Sequence, residues 1–510
     1  MKPASIPLTW FAAHELKLAW RDWAQLLSGG RKLKDNSVLF GMAVVALVLH
    51  AIAYAALSPH MPVTTENQTA LLILLSMSVA LAFTMMFSQA MEHVTRAFYA
   101  RDDLDLILSS PAPSRHLFAV RITATALTTA IMSGLLVAPF INVAAWLNGA
   151  SWLAGYVVMG SVAALATGCA VLATLALFRH VGAKRTRLVA QIIAAVVGAS
   201  FLIGIQAIAI VSYGTMSRFA LLNSADVVAR MPDSGSPAWL PARAVMGEPL
   251  ALTGFALVAL TFFVVIVHAG ALRVPEHVVS ALGVGEGLGA RARRRRTYTP
   301  RSLLGALIVK EWMLLRRDPW LVSQTLMQIL YLIPPALMLW STFGSKVDVV
   351  TLLTPVLAMA SGQLAGALAW LAISGEDAPD LVHTAPVSAR TLIAAKVISV
   401  LAITAAVILP FIIALLFVSI RGAGVALAGV TVSAAIAVLI QIWFRAQMRR
   451  SLFRRRQVAS RLSTLLEAMA SILIAATTGA VATGSWLAVV PALLTGLILL
   501  VAFKLRPRTS

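Results

Sequence analysis

Few ionisable side chains could do chemistry inside the apolar parts of this sequence, and three stand out: His50, His268 and Glu467. An ionisable group at membrane depth is costly, so it is a candidate for binding a proton, an ion or a substrate. Glu467 follows Arg461 by only about 9 Å of helix, so its carboxylate could also reach the polar boundary of a membrane. We favour that second interpretation and keep Glu467 as a possible intramembrane polar site.

Clustered catalytic or metal-binding groups are not indicated. The single cysteine, Cys169, excludes a disulfide within the chain and a metal site built from several cysteines. The histidines are scattered, and the acidic residues fall mainly between apolar runs, whereas a membrane-integral enzyme would need nucleophiles, acids or ligands together. We therefore predict no catalytic residue, no metal and no cofactor bound by this chain.

An acid-and-proline segment occurs twice. RDDLDLILSSPAPSRHLFAVR follows the second apolar run, and EDAPDLVHTAPVSARTLIAAK follows the eighth. Six positions correspond at one constant displacement and keep their charge type: Asp102 and Asp377, Asp105 and Asp380, Leu106 and Leu381, Pro111 and Pro386, Arg115 and Arg390, and Arg121 and Lys396. An Asp cap followed by a helix-ending Pro predicts a short helix in each copy, with Ser388 as a cap for the next span. Well-capped loops without a partner are the alternative.

A second pair of landmarks precedes the first and seventh apolar runs. HELKLAWRD holds Glu15, Arg21 and Asp22, and KEWMLLRRD holds Glu311, Arg317 and Asp318 at the same spacing. Each segment places Trp and Leu residues on one helical face and cations on others, which predicts a helix lying in the membrane interface. Such helices could anchor the orientation or dock a partner, and the residues leave both roles open.

The elements that must position these residues are membrane spans. Of the 510 residues, 59% are hydrophobic and 12% charged, and the mean hydropathy is +0.87, a balance that a soluble domain of this length does not tolerate. Uncharged runs long enough to cross a bilayer predict twelve helices. They lie at about 37–57, 69–91, 119–146, 151–178, 188–212, 250–272, 322–343, 350–374, 397–420, 425–444, 462–483 and 485–503.

The landmarks predict an all-α membrane protein of two tandem six-helix halves. The first half is 1–272, the second is 303–510, and a basic, flexible cytoplasmic linker at 273–302 joins them. Arg187-Leu188 and Arg461-Leu462 open corresponding helices in the two halves. Pro139 and Pro410 predict kinks in two matching spans.

The net charge of +21 is explained by orientation. With both termini cytoplasmic, only Arg218, Arg230, Arg243, Lys346 and Arg421 of the 41 Lys and Arg residues fall on the outer side, as the positive-inside bias requires. We therefore predict a multi-pass protein of a bacterial plasma (inner) membrane, with lipid and not nucleic acid as its surroundings.

These features resemble the type-2 ABC exporter permeases over nearly the whole chain. In that family an interfacial connecting helix precedes the first span, and the loop after the second span forms a coupling helix on the ATPase subunit. The resemblance implies this coupling role for the two acid-and-proline segments, and it implies an outer helical insertion between the fifth and sixth spans. The second half departs from the pattern, because few residues separate its last two spans.

The resemblance implies a permease that works with ATPase subunits supplied by another chain, two copies per permease chain, which carry the ATP and Mg. No Gly-x4-Gly-Lys-Ser/Thr phosphate loop can be written in this sequence. The expected substrate is amphipathic or hydrophobic and moves outward. The alternative is a twelve-span transporter driven by an ion or proton gradient, although Glu467 is its only plausible intramembrane carboxylate.

Overall fold

The computed structural model describes most of the chain. The described residues are 17, 35–58, 68–99, 114–213, 231–283, 302–317, 326, 330, 332–333, 337, 349–374, 384, 386–444 and 461–506. Every regular element among them is helical, which confirms the prediction of an all-α chain.

Among the described residues, seven α-helices lie in the first part of the chain. They are α1 Asp35–Leu57, α2 Gln68–Tyr99, α3 Ser114–Asn148, α4 Ala154–Val181, α5 Ala183–Tyr213, α6 Leu240–Val245 and α7 Pro249–Gly283, with 3-10 turns at Ala150–Leu153 and Pro237–Trp239.

Six further α-helices follow in the described part of the remaining chain. They are α8 Leu303–Arg317, α9 Val349–Ser374, α10 Ala389–Leu416, α11 Ile420–Trp443, α12 Arg461–Ala482 and α13 Val489–Leu505, with a 3-10 turn at Trp486–Ala488.

A multi-pass membrane protein is confirmed by the length and apolarity of these helices. Among the described residues, nine helices can cross a bilayer, or ten when the bent α3 is counted as one span. The described part of α1 adds a shorter apolar helix, Ala46–Leu57, and the predicted span at 322–343 lies almost wholly outside the described residues. The total of twelve spans therefore stays a prediction.

The third span carries the kink predicted from Pro139. Its two parts, Phe118–Gly134 and Leu136–Asn148, meet at an angle of 60°. Proline cannot donate the backbone hydrogen bond to the carbonyl four residues earlier, at position 135, so the bend falls where that bond is missing.

The chain forms two compact units. Unit 1 comprises Met1–Ile205 and Ser217–Ala292, and unit 2 comprises Gln206–Met216 and Arg293–Ser510. In unit 1, α4 packs against α2, α3 and α7. In unit 2, α9 packs against α10, α11 and α12, and α12 packs against α13. The origin of the units by duplication stays a prediction.

A short folded segment at 231–248, here called the cap segment, connects α5 to α7 in unit 1. Trp239 is buried at its centre, and its indole Nε1 donates to the carbonyls of Pro232 and Asp233 at 3.2 and 3.1 Å. Trp239 and Ala242 pack on the first turns of α2, at Leu72 and Ile73. The cap segment is therefore a fixed part of unit 1.

Gly247, the second-last residue of the cap segment, has φ +85°. A Cβ at this position would collide with the backbone carbonyl of Ser151, ahead of α4. Only glycine combines this conformation with this close approach, so Gly247 fixes how the cap segment meets α4.

We expect Gly247→Ala to lower the thermal stability of the purified protein. The left-handed conformation alone costs about 1–2 kcal/mol with a Cβ present, and the collision with Ser151 adds to it. Gly254→Ala is the matched control, because nothing lies within 4 Å of the Cβ it would add. Equal melting temperatures for the two variants would contradict this account of Gly247.

Candidate functional site

A buried carboxylate lies inside unit 2. Glu467 on α12 is 8% exposed, and one of its carboxylate oxygens, Oε2, accepts a hydrogen bond from Gln441 Nε2 on α11 at 2.6 Å. Gln441 is itself 2% exposed. The interpretation that Glu467 extends toward the membrane boundary is therefore wrong: its side chain turns into the bundle, where Gln441 binds it.

Glycines on α9 create the space for this carboxylate. A Cβ added at Gly366 would overlap the carboxyl group of Glu467, and one added at Gly362 would overlap the hydroxyls of Ser433 and Ser471. Gly362 and Gly366 form a GxxxG pattern, which lets helices in lipid approach closely. The backbone of α9 therefore lies directly against polar side chains of α11 and α12.

Buried hydroxyl groups continue this polar contact along α9, α11 and α12. Ser361 Oγ donates across the interface to the carbonyl of Val430 at 3.2 Å. Ser433 is 1% exposed, and its hydroxyl has no partner among the described residues. We call the whole set the polar seam: Thr354, Ser361, Ser433, Gln441, Ser463, Glu467, Ser471 and Thr478, all buried. Such a seam can hold helices together in lipid, and it can accept or release a proton at one place, Glu467.

Unit 1 does not repeat the carboxylate and amide. The displacement that aligns Arg187 with Arg461 places Ile193 opposite Glu467 and Thr167 opposite Gln441. Ile193 packs against the hydrophobic core of unit 1, and Thr167 is fully buried. The pair is therefore specific to unit 2.

The acid-and-proline segments lie largely outside the described residues. This applies to Asp102, Asp105, Leu106, Pro111, Asp377, Asp380 and Leu381, and also to Glu15, Arg21, Asp22 and Asp318. Arg115 and Arg317 lie in α3 and α8, where only the backbone is described. Pro386 and Arg390 are described, and both are exposed at the start of α10.

The start of α10 lies within the second acid-and-proline segment, and its cap and one cross-helix contact are described. Ser388 caps α10, as predicted, because its Oγ accepts from the backbone N–H of Thr391 at 3.2 Å. Further along α10, Lys396 is 9% exposed, and its Nζ donates to the carbonyl of Ala372 at 2.5 Å. Ala372 lies in the last turn of α9, whose final carbonyls have no partner within the helix. Lys396 therefore ties together the two helices that flank this segment.

Arg121 is the counterpart of Lys396 in unit 1, and it is also buried, at 5% exposure. Burying a cation near the end of an apolar helix requires polar partners. In the sequence, Arg121 and Lys396 correspond only in position and charge. The structure shows that both cations are buried in their own units.

The predicted interfacial segment of the second half is helical, as α8. Glu311 is 3% exposed and pairs with Lys310, whose Nζ lies 3.3 Å from Glu311 Oε1. Trp312 and Met313 are exposed instead. Since α8 packs against α10, Glu311 belongs to the packed side of the helix, and the tryptophan faces outward, as an interfacial anchor requires.

The two histidines noted in the apolar runs have different surroundings. His268 is exposed on α7. His50 Nδ1 donates to the carbonyl of Ala46 at 2.7 Å, so its Nε2 can accept from Asn142 Nδ2 at 3.2 Å. Tyr156 donates in turn to Asn142 Oδ1 at 2.7 Å. This network joins α1, α3 and α4 and gives both ring nitrogens of His50 a hydrogen-bond partner.

Comparison with models of known protein families gives no match, and comparison with curated proteins gives none either.

We expect Gly366→Ala to disrupt the polar seam, because the added methyl group occupies the place of the Glu467 carboxyl group. Forced separation of α9 from α12 should lower the melting temperature in detergent, with a loss of about 1–3 kcal/mol for overpacking. Gly424→Ala on α11 is the control, since no atom lies near its Cβ. Glu467→Ala should partly rescue Gly366→Ala by vacating that space, and a purely additive double variant would argue against the contact.

Proposed function

We propose that this chain is the membrane-spanning permease subunit of an ATP-driven exporter, with ATPase subunits supplied by another polypeptide. Two ATPase copies bind each permease chain through the segments at Asp102 to Arg115 and Asp377 to Arg390. The ATPase carries the ATP and Mg. The transported substrate is amphipathic or hydrophobic.

The repeated acid-and-proline segment carries this proposal. Two copies of one charged, proline-broken segment, each between a pair of long apolar helices, suit two equivalent docking points for a motor. The Lys396 contact supports it, because a force applied to the segment at 375–388 reaches α9 and α10 together when these helices are tied at their ends. A segment that served only as a loop would need no such tie.

A proton-coupled transporter is the second candidate, and the polar seam favours it. Glu467 lies inside the bundle of unit 2, hydrogen-bonded across helices, where a carrier would place a proton-binding carboxylate. An experiment can distinguish the exporter from the proton-coupled transporter. The purified chain in proteoliposomes should transport nothing on a proton gradient alone if the exporter proposal is right, and gradient-driven transport abolished by Glu467→Gln would establish the carrier.

We expect the double variant Asp105→Lys with Asp380→Lys to lose its ATPase partner. Reversing both charges removes the acidic side chains that face the motor, so affinity purification of the chain should recover at least about tenfold less ATPase. The control is Asp233→Lys, a reversal on the exposed cap segment, which should leave recovery unchanged. Undiminished recovery and transport in the double variant would overturn the docking assignment.

We expect Lys396→Met to separate ATPase binding from transport. Methionine keeps the apolar stem and removes the ammonium group that holds Ala372, so the ATPase should still bind while transport per ATP hydrolysed falls. Lys396→Arg should restore part of the coupling, because a guanidinium can still donate to the carbonyl. Faster hydrogen exchange at 375–388 in the Met variant alone would show the local loosening, and unchanged coupling would refute the role.

A further inference from the structure

A polar cavity of about 400 Å³ lies in unit 1 between the cap segment and the first turn of α2. Its lining combines charged, amide, hydroxyl and apolar groups: Gln68, Leu72, Ser234, Gly235, Arg243, Met246, Gly247 and Glu248. The described residues that line it belong neither to the acid-and-proline segments nor to the polar seam. The cavity is large enough for a polar headgroup with the start of an attached chain.

Opposite charges face this cavity as a pair. Arg243 donates from Nε and Nη2 to the two carboxylate oxygens of Glu248, and Nη1 donates to the carbonyl of Gly235 at 3.4 Å. The two side chains are 31% and 35% exposed. Because both side chains are partly exposed, solvent screens their attraction, and a ligand that supplies both charges can compete for each of them.

The hydrogen bond with Arg243 lowers the pKa of the Glu248 carboxyl group. The carboxylate therefore stays charged at pH values where an ordinary glutamate takes up a proton. It loses its charge only as the pH falls through the lowered pKa. Arg243 is charged throughout. At neutral pH the cavity thus presents one full positive and one full negative charge.

The cavity lies beside the first residues of two helices long and apolar enough to cross a membrane. Gln68 begins α2 and Pro249, directly after Glu248, begins α7, so the cavity sits where two spans start. Trp146, near the end of α3, is 85% exposed, as tryptophans of the interfacial belt are. Leu72 and Met246 give the cavity an apolar wall, next to its charges.

We propose that this cavity binds the headgroup of a zwitterionic phospholipid. The phosphate group pairs with Arg243, the ammonium group pairs with Glu248, and the start of the acyl region lies against Leu72 and Met246. Inserting a zwitterion replaces one ion pair with two and leaves the net charge of the cavity unchanged. An anionic lipid would leave Glu248 facing a like charge or no partner. The inference does not depend on the proposed function.

The test uses the purified full chain in an uncharged, non-zwitterionic detergent. Titration with short-chain phosphatidylcholine, followed by native mass spectrometry, should give saturable binding of one lipid that is at least about tenfold stronger than binding of phosphatidylglycerol with the same chains. Free phosphocholine should bind more weakly than the lipid, because it lacks the chain that Leu72 and Met246 contact. Equal binding of the two lipids would overturn the zwitterion site, and equal binding of lipid and phosphocholine would overturn its assignment to a lipid.

A double variant localises the binding. Arg243→Gln with Glu248→Gln removes both charges but leaves two amides that can hydrogen-bond to each other, and it should abolish the preference for phosphatidylcholine. Arg421→Gln, a change at an exposed arginine of unit 2, should keep it. Retention of the preference in the double variant would place the site elsewhere. ATPase recovery with the double variant should equal that of the wild type. A negative result for lipid binding therefore does not bear on ATPase docking, and the reverse also holds.

Discussion

Hydrocarbon offers no hydrogen-bond partner, so each peptide group in a span must be satisfied within the protein, and the helices of this chain follow from that constraint. The same constraint divides the polar side chains into those that bond within their own helix and those that bond to another helix. Many Ser and Thr hydroxyls in the described spans donate to a carbonyl of their own helix, as Thr95 does to Met91 and Thr404 does to Val400. Hydroxyls satisfied in this way carry little information about the fold. Groups that reach another helix, such as Gln441 to Glu467 and Ser361 to Val430, determine which helices adjoin.

Small residues decide where such groups can exist. Among the described spans of unit 2, α9 is the most enclosed, with 72% of its apolar stretch buried, against 17% for α13. Its Gly362 and Gly366 expose backbone toward α11 and α12, and the polar side chains of those helices fill the space. Lipid tails are as apolar as a leucine core, so close packing and hydrogen bonds must supply the association energy that the hydrophobic effect does not. The polar seam therefore depends on the glycines, because a side chain at Gly362 or Gly366 would occupy the space of its polar groups.

The helices could be predicted from the sequence because apolarity is local. The nine described helices that can cross a bilayer each begin or end within a few residues of an apolar run, and the Pro139 bend and the Ser388 cap followed from single residues. Contacts between helices could not be predicted. Glu467 looked able to reach water because Arg461 is close in sequence, whereas its partner, Gln441, comes from the preceding helix. Likewise Lys396 could be matched to Arg121 by charge, but only the packing of α9 against α10 brings its ammonium group to Ala372.

The two units differ in their buried polar groups and in their connecting segments. Unit 1 carries the cap segment and its charged cavity, held by Trp239 and Gly247. The corresponding connection in unit 2 is only a tight turn at Gly484 and a 3-10 turn before α13, as the short spacing in the sequence indicated. Unit 2 instead holds the carboxylate, where unit 1 has Ile193. If the halves arose by duplication, selection has kept the charged segments common to both while the membrane interior and the cap diverged. Under the proposed exporter function, shared segments would bind identical ATPase subunits, and different interiors would let one substrate contact each half differently.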